Sequence, residues 1–261
     1  MSKARGFIDA GTARVKTKVT CTLIVRNERD RVERAIQSVL GIVDEVLVVD
    51  SGSTDDTVSL CEALGAKVIY NPWIGFGPQK RFAEDHASND WILNLDADEW
   101  LPAPLRKELE AILSRWLPPT RSFRVRTRIV YPGREAPAPF ADFHKYIRLY
   151  NKTTTRFRAS LAHDEVPPTQ DVVQLEADVF HKSYRSVAHI LTKTISYYEL
   201  QKTENKTLGY DKYVRALFEF PFQFTKYYFI RRHVFGGFDG FVYSVTLAVG
   251  RWIRIFILMG W

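Results

Sequence analysis

The first hundred residues alternate between short apolar runs and amphipathic stretches, and this pattern constrains the fold more than any other feature. The apolar runs cover residues 19–25, 45–49, 67–70 and 91–95 and predict β-strands. Helical patterns lie between them, over residues 30–40, 57–64 and 79–87, and Asp30 with Glu33 predicts a capping box at the start of the first. Strands separated by helices form mostly parallel sheets with crossover helices. The sequence therefore predicts an α/β fold with a mostly parallel central sheet and flanking helices.

Polar residues follow three of these predicted strands. They are Arg26-Asn27-Glu28, Asp50-Ser51-Gly52 and Asp96-Ala97-Asp98. Each segment alone is compatible with an ordinary solvated turn, but the carboxyl ends of parallel strands share one edge, where ligands bind in such sheets. Two carboxylates in a D-x-D triplet suggest a divalent cation held together with a phosphorylated ligand. Neither a G-x-G-x-x-G nor a Walker A sequence is present, which disfavours dinucleotide and P-loop binding.

Four segments in order resemble the inverting family-2 glycosyltransferases of the GT-A fold. They are Ile24-Val25-Arg26-Asn27-Glu28, the run VVDSGSTDDT at residues 48–57, the segment at residues 79–83, and DWILNLDADE at residues 90–99. The resemblance is strongest over residues 19–100, and within the family it is greatest to the lipopolysaccharide-core β-glucosyltransferases. It implies a GT-A, Rossmann-like sheet and an enzyme that transfers a hexose from a nucleotide-sugar donor.

The resemblance also implies roles for four donor-site residues. Asp50 is expected to contact the uracil of a UDP-sugar, and Val25 and Glu28 to lie along the base and ribose. Lys80 matches a basic position that contacts the base or the diphosphate. The alternatives are a turn cap for Asp50 and a solvated helix position for Lys80.

The same resemblance implies a metal and a general base. Asp96 is expected to face the ribose or nucleotide and to share the metal, and Asp98 to bind Mg²⁺ or Mn²⁺. His181, after a later strand, is expected to reach the metal or the diphosphate, and a structural histidine is the alternative. The general base corresponds to Asp164, with Glu165 beside it, although the family carboxylate is typically Glu. The alternative for this segment is a polar loop before Pro167-Pro168.

Residues 206–261 differ in character from the rest of the chain. Aromatic and basic residues interleave there, and residues 212–261 hold seven Lys or Arg against two acidic residues, so this segment contributes +5 of the chain's +7 net charge. No uncharged apolar run reaches the roughly 20 residues of a membrane span. We predict helices that lie in an anionic membrane interface. A helical cap on the core or a dimer contact is the alternative.

The domain organisation and location follow from these observations. We predict a flexible N-terminus over residues 1–17, a GT-A domain over 18–205 with donor (18–100) and acceptor (101–205) halves, and a membrane-interface region over 206–261. Two cysteines, both in apolar elements, and the absence of a signal-like N-terminus favour a reducing cytoplasm, with the protein peripheral at the inner face of the membrane. Because the positive charge lies among tail aromatics and outside any nucleic-acid motif, nucleic-acid binding is disfavoured.

The function that these features favour is inverting, metal-dependent transfer of a hexose from UDP-glucose or a similar donor. The expected acceptor is lipid-linked or a lipopolysaccharide inner core. The alternatives are a nucleotidyltransferase on a related fold and a non-catalytic membrane-associated binding protein. The sequence favours no particular oligomeric state.

Overall fold

A computed structural model describes residues 16–141, 143–160, 165–203 and 212–259. Its first part alternates strands and helices: β1 (Val19–Val25), α1 (Val32–Val39), β2 (Glu45–Asp50), α2 (Thr57–Ala63), β3 (Lys67–Tyr70), α3 (Phe76–His86), β4 (Trp91–Asn94), β5 (Glu99–Trp100) and α4 (Ala103–Leu113). Three longer strands follow: β6 (Arg121–Ile129), β7 (Phe143–Asn151) and β8 (Asp171–His181). The described chain ends in helices α5 (Val187–Thr203), α6 (Lys212–Thr225) and α7 (Gly237–Met259).

The eight strands form one sheet in the order β3-β2-β1-β4-β7-β6-β8-β5. β1 pairs in parallel with β2 and β4, and β2 pairs in parallel with β3. β7 joins this parallel core antiparallel to β4. β1, β2 and β4 are apolar along nearly their whole length because both of their faces are buried. The predicted α/β class and its mostly parallel core are confirmed.

The predicted start of the first helix is wrong in detail. Arg31, not Asp30, occupies the N-cap of α1, and no side chain caps the helix. Arg31 takes part instead in ion pairs described below.

A buried hydrogen-bond network fixes the position of α3 in the sheet-containing part of the chain. Glu84 accepts hydrogen bonds from the Tyr150 hydroxyl at 2.7 Å and from the Phe157 amide at 3.0 Å, and Arg156 Nε donates to it at 2.7 Å. Burial, followed by the charge of Glu84, raises the pKa of Tyr150 well above its ordinary value, so the hydroxyl remains a donor. Lys80 lies one helical turn before Glu84 and therefore faces the same way.

The chain divides into two compact units. The N-terminal unit comprises residues 1–125 and 146–178, and the C-terminal unit comprises residues 126–145 and 179–261. The core of the C-terminal unit includes Tyr131, Ile190 and Tyr243. In this unit α7 packs against α5 and α6, and Gly250 admits the close approach of Thr194.

One described helical stretch, His233–Met259, is long and apolar enough to cross a membrane. About a third of its most apolar 18-residue segment is buried within the protein. α6 exposes large apolar side chains to the surface: Tyr213, Val214, Leu217, Phe218 and Phe222.

Candidate active site

The loops that follow β1 and β2 are joined by hydrogen bonds. The Asn27 amide donates to Ser53 Oγ at 2.9 Å, and Asn27 Oδ1 accepts a bond from the Thr54 amide at 2.8 Å. The Glu28 amide donates to Thr57 Oγ1 at 2.9 Å. Asn27 has a positive φ of 56°, which asparagine tolerates better than most residues. These bonds place the carboxyl ends of β1 and β2 side by side.

Asp50 stabilises the turn that follows β2. Its carboxylate accepts hydrogen bonds from the Gly52 amide at 2.8 Å and from the Ser53 amide and hydroxyl at 3.1 and 2.5 Å. Its side chain therefore acts as the turn cap that the sequence left as an alternative, and its contact with uracil stays a prediction. Val25 is buried beside it, and its carbonyl accepts a bond from the Ser51 amide at 3.0 Å.

A group of charged residues, here called the strand-end cluster, lies after β1 and β4. Its members are Glu28, Arg31, Lys80, Asp96, Asp98, Glu99 and Arg148.

The first half of the strand-end cluster is centred on Asp96. Lys80 is 1% exposed and its Nζ lies 2.8 Å from Asp96 Oδ1, so it is not the solvated helix residue of the alternative interpretation. Arg148 contacts Asp96 Oδ2 at 3.2 Å, Glu99 Oε1 at 2.5 Å and Asn94 Oδ1 at 3.1 Å. Because Lys80, Arg148 and Glu99 are all buried, these contacts supply the charge compensation that water cannot.

The second half is centred on Arg31. Its Nε donates to Glu28 Oε2 at 2.7 Å, and its NH1 lies 3.2 Å from Asp98 Oδ2. The Asp98 side chain is only 13% exposed. The D-x-D triplet is thus a set of ion-paired, largely buried carboxylates and not a solvated turn.

The donor set fits a divalent cation that is bound together with a diphosphate. Asp96 and Asp98 offer carboxylate oxygens, which Mg²⁺ and Mn²⁺ prefer. Within the described ranges, no group of three or more His, Cys, Asp or Glu residues is arranged to hold a metal by itself. Mg²⁺ is commonly held by one or two carboxylates plus phosphate oxygens, and the D-x-D triplet provides two carboxylates.

The remaining candidates are His181, Asp164 and Glu165. His181 belongs to the C-terminal unit, where its Nε2 is hydrogen-bonded to Ser183 Oγ at 2.9 Å. Asp164 lies outside the described residues. Glu165 is exposed, and its carbonyl accepts a bond from the Arg158 amide at 3.1 Å. The metal role of His181 and the choice of base stay predictions.

Sequence reasoning missed three residues that shape this site. Arg31 at the N-cap of α1 pairs with Glu28 three residues earlier, so the closeness of the two charges in sequence was a usable signal. Gln79 is fully buried, and its Nε2 donates to Ser51 Oγ at 3.0 Å. Arg148 reaches the strand-end cluster only because β7 pairs with β4, a register that no local pattern indicates.

Comparison with known proteins gives a consistent result. Residues 20–170 match the profile described as Glycosyl transferase family 2. An uncharacterized glycosyltransferase of Rickettsia felis is 40% identical over 91% of this chain and 88% of that protein. The lipopolysaccharide core biosynthesis glycosyltransferase LpsC of Rhizobium meliloti is 27% identical over 90% of this chain and 89% of that protein.

Solved structures match more weakly. Glucosyl-3-phosphoglycerate synthase of Mycobacterium tuberculosis, in complex with Mn²⁺, UDP and glucosyl-3-phosphoglycerate, is 27% identical. The match covers 45% of each chain with a TM-score of 0.34.

Proposed function

The chain belongs to glycosyl transferase family 2 and is a glycosyltransferase, and from this premise we propose that it transfers a hexose with inversion from UDP-glucose or a similar UDP-hexose. The proposed acceptor is lipid-linked or a lipopolysaccharide inner core. The observation that carries the proposal is the strand-end cluster, which brings the D-x-D carboxylates together with three cations at the carboxyl ends of parallel strands. Residues 18–100 form the proposed donor half and residues 101–205 the acceptor half.

Asp98 and Asp96 are proposed to hold Mg²⁺ or Mn²⁺ together with the donor diphosphate. When bound, such an ion neutralises diphosphate charge and stabilises the departing UDP. Lys80 and Arg148 orient Asp96 through ion pairs, and Arg31 does the same for Asp98. Val25, Glu28 and Asp50 are proposed to border the nucleoside, and His181 remains a proposed additional metal ligand.

Inversion requires a base on the acceptor side. Asp164 or Glu165 is proposed to take the proton of the acceptor hydroxyl as its oxygen attacks the anomeric carbon opposite the diphosphate. Glu165 is exposed, which is compatible with contact to an incoming acceptor.

Two observations support an acceptor at the inner face of the cell membrane. LpsC, a relative over nine tenths of this chain, carries a lipopolysaccharide-core name. Residues 212–261 combine their net charge of +5 with the exposed aromatic face of α6. α7 packs against α5 and α6, which favours a peripheral position of this region over a membrane span.

Calorimetric titration of UDP, GDP and CMP, with and without Mn²⁺, tests the donor half of the proposal. We expect the protein to bind UDP but not GDP or CMP, and to bind UDP only when Mn²⁺ is present. Asp98→Ala should abolish that binding, whereas Asp171→Ala should not, because Asp171 forms an ion pair with Arg121 outside the cluster. Failure of the folded protein to bind any of the three nucleotides would favour the non-catalytic alternative, whereas binding of GDP or CMP instead of UDP would refute the proposed UDP-hexose donor.

A transfer assay on purified variants tests the base. Asp164→Asn and Glu165→Gln should both bind UDP normally, and the one that loses transfer identifies the base. Normal transfer by both variants would remove this segment from the mechanism.

A further inference from the structure

The C-terminal unit contains a cavity of about 440 Å³ with a strongly basic lining. Lys193, Lys226, Arg231 and Arg251 line it, and none of the lining residues that the structure describes is acidic. All of its lining residues belong to the C-terminal unit, whereas the strand-end cluster belongs to the N-terminal unit. It is called here the basic cavity.

Aromatic groups hold the cations of the basic cavity in place. Arg251 Nε donates to the Tyr227 hydroxyl at 3.4 Å, and its guanidinium lies 5.9 Å from the Tyr198 ring. Lys193 Nζ lies 5.5 Å from the Tyr184 ring. Such contacts orient a cation without neutralising it.

Three of the four cations that line the cavity lack a carboxylate partner among the described residues. In the part of the chain that the structure describes, Lys193, Lys226 and Arg251 form no salt bridge with a carboxylate. Elsewhere in the same unit basic residues are paired, as Arg134 is with Asp239. Concentrated like charge costs free energy unless an anion balances it, so the arrangement suits a bound polyanion.

The rest of the lining narrows the chemistry of that anion. Tyr243 is buried, and burial raises the pKa of its hydroxyl well above the ordinary value, which keeps it a neutral hydrogen-bonding group. Ile129 and Leu247 add apolar surface. Four cations exceed what a single carboxylate needs, and Arg and Lys are the side chains that bind phosphate groups in proteins.

We propose that the basic cavity is a binding site for a phosphate ester, either the headgroup of a phospholipid or a soluble phosphorylated molecule. This site goes beyond the proposed donor chemistry and does not depend on it. It would also give the C-terminal unit a discrete ligand in addition to its exposed aromatic surface.

The first experiment is calorimetric titration of the full chain with inorganic pyrophosphate. The double variant Lys193→Gln/Lys226→Gln should bind at least about tenfold more weakly than the wild type, since it loses two charged contacts. The matched control Lys145→Gln/Lys182→Gln removes the same charge from the same unit outside the cavity and should bind like the wild type.

Co-sedimentation with phosphatidylglycerol vesicles, with phosphatidylcholine vesicles as the control, distinguishes a phospholipid headgroup from a soluble phosphate ester. Weaker sedimentation of the cavity variant than of the control would identify a lipid headgroup. Equal sedimentation together with weakened pyrophosphate binding would identify a soluble phosphate ester.

The inference is overturned if neither pyrophosphate binding nor vesicle binding distinguishes the two double variants. UDP titration of the same proteins keeps the outcomes separate. If the two double variants bind pyrophosphate and vesicles equally well and both still bind UDP, the basic cavity is not a phosphate site and the proposed transfer is unaffected.

Discussion

Replacing Arg148 with methionine should destabilise the protein severely. Arg148 is 7% exposed, and the side chain of its partner Glu99 is fully buried. Methionine keeps much of the length of the side chain and removes its charge. Glu99 would then lose the guanidinium that lies 2.5 Å from its Oε1, while it keeps the Asp96 amide, 3.1 Å from its Oε2.

The expected magnitude follows from burial. Removing one partner of a buried ion pair costs about 3–5 kcal/mol, because the other charge stays desolvated. Arg121 provides the matched control: its Nε lies 2.6 Å from Asp171, but both side chains are about two fifths exposed. Arg121→Met should therefore cost only about 0–1 kcal/mol.

Urea unfolding followed by tryptophan fluorescence measures both variants. The double variant Arg148→Met/Glu99→Met should recover most of the loss, because it leaves neither charge buried alone. If Arg148→Met unfolds within about 1 kcal/mol of Arg121→Met, the cluster does not depend on this pair. If the double variant is as unstable as the single variant, the loss comes from packing and the electrostatic argument fails.

Three further predictions concern the N-terminal unit. Gly77→Ala should cost about 1–3 kcal/mol by overpacking, since a Cβ there would lie 2.2 Å from the Arg158 carbonyl oxygen; unchanged thermal unfolding would contradict this contact. Asp50→Asn should cost roughly 1–3 kcal/mol by weakening the turn's charged hydrogen bonds, and a urea midpoint equal to that of the wild type would show that the charge is unimportant. Burial, then the charges of Asp50 and Glu62, raises the pKa of Cys61 from 9.0 to about 11, so the stability from its protonated thiol is complete below pH 9 and declines as the pH rises towards 11. The contribution of Cys61 to that decline is at most about 2.7 kcal/mol and is measured as the difference between the wild type and Cys61→Ala, because Cys21 and buried tyrosines also have raised pKa values. Free energies of unfolding that fall in parallel in the two proteins would contradict the prediction.

The parallel core was predictable because its signal is local. Residues 45–49 and 91–95 are apolar at nearly every position, as strands buried on both faces must be, and β2 and β4 lie there. The polar residues after them could be assigned to one edge of the sheet because the carboxyl ends of parallel strands lie at the same edge. The proximity of Asp50, Asp96 and Asp98 to the strand ends needed no tertiary information.

The charge compensation of the site was not predictable in the same way. Lys80 looks like a surface lysine on a helix of low amphipathicity, and its burial follows from the packing of α3, which Glu84, Tyr150 and Arg156 fix from distant parts of the chain. Arg148 lies 52 residues from Asp96 in sequence. Long-range pairings of this kind depend on sheet register, which hydrophobic periodicity does not encode for a strand that joins from another part of the chain.

The charge balance of the strand-end cluster supports metal dependence of donor binding. Within the ion pairs described above, four carboxylates, Glu28, Asp96, Asp98 and Glu99, face three cations, Arg31, Lys80 and Arg148, so these seven residues carry one negative charge by formal count. A sugar diphosphate carries about two further negative charges, and placing them alone beside a largely buried, net-negative group is unfavourable. A divalent cation cancels those two charges, so the metal–diphosphate complex enters without changing the net charge of the cluster. UDP should therefore bind in proportion to metal occupancy, and tight binding of UDP in excess chelator would show that the three cations alone balance the diphosphate.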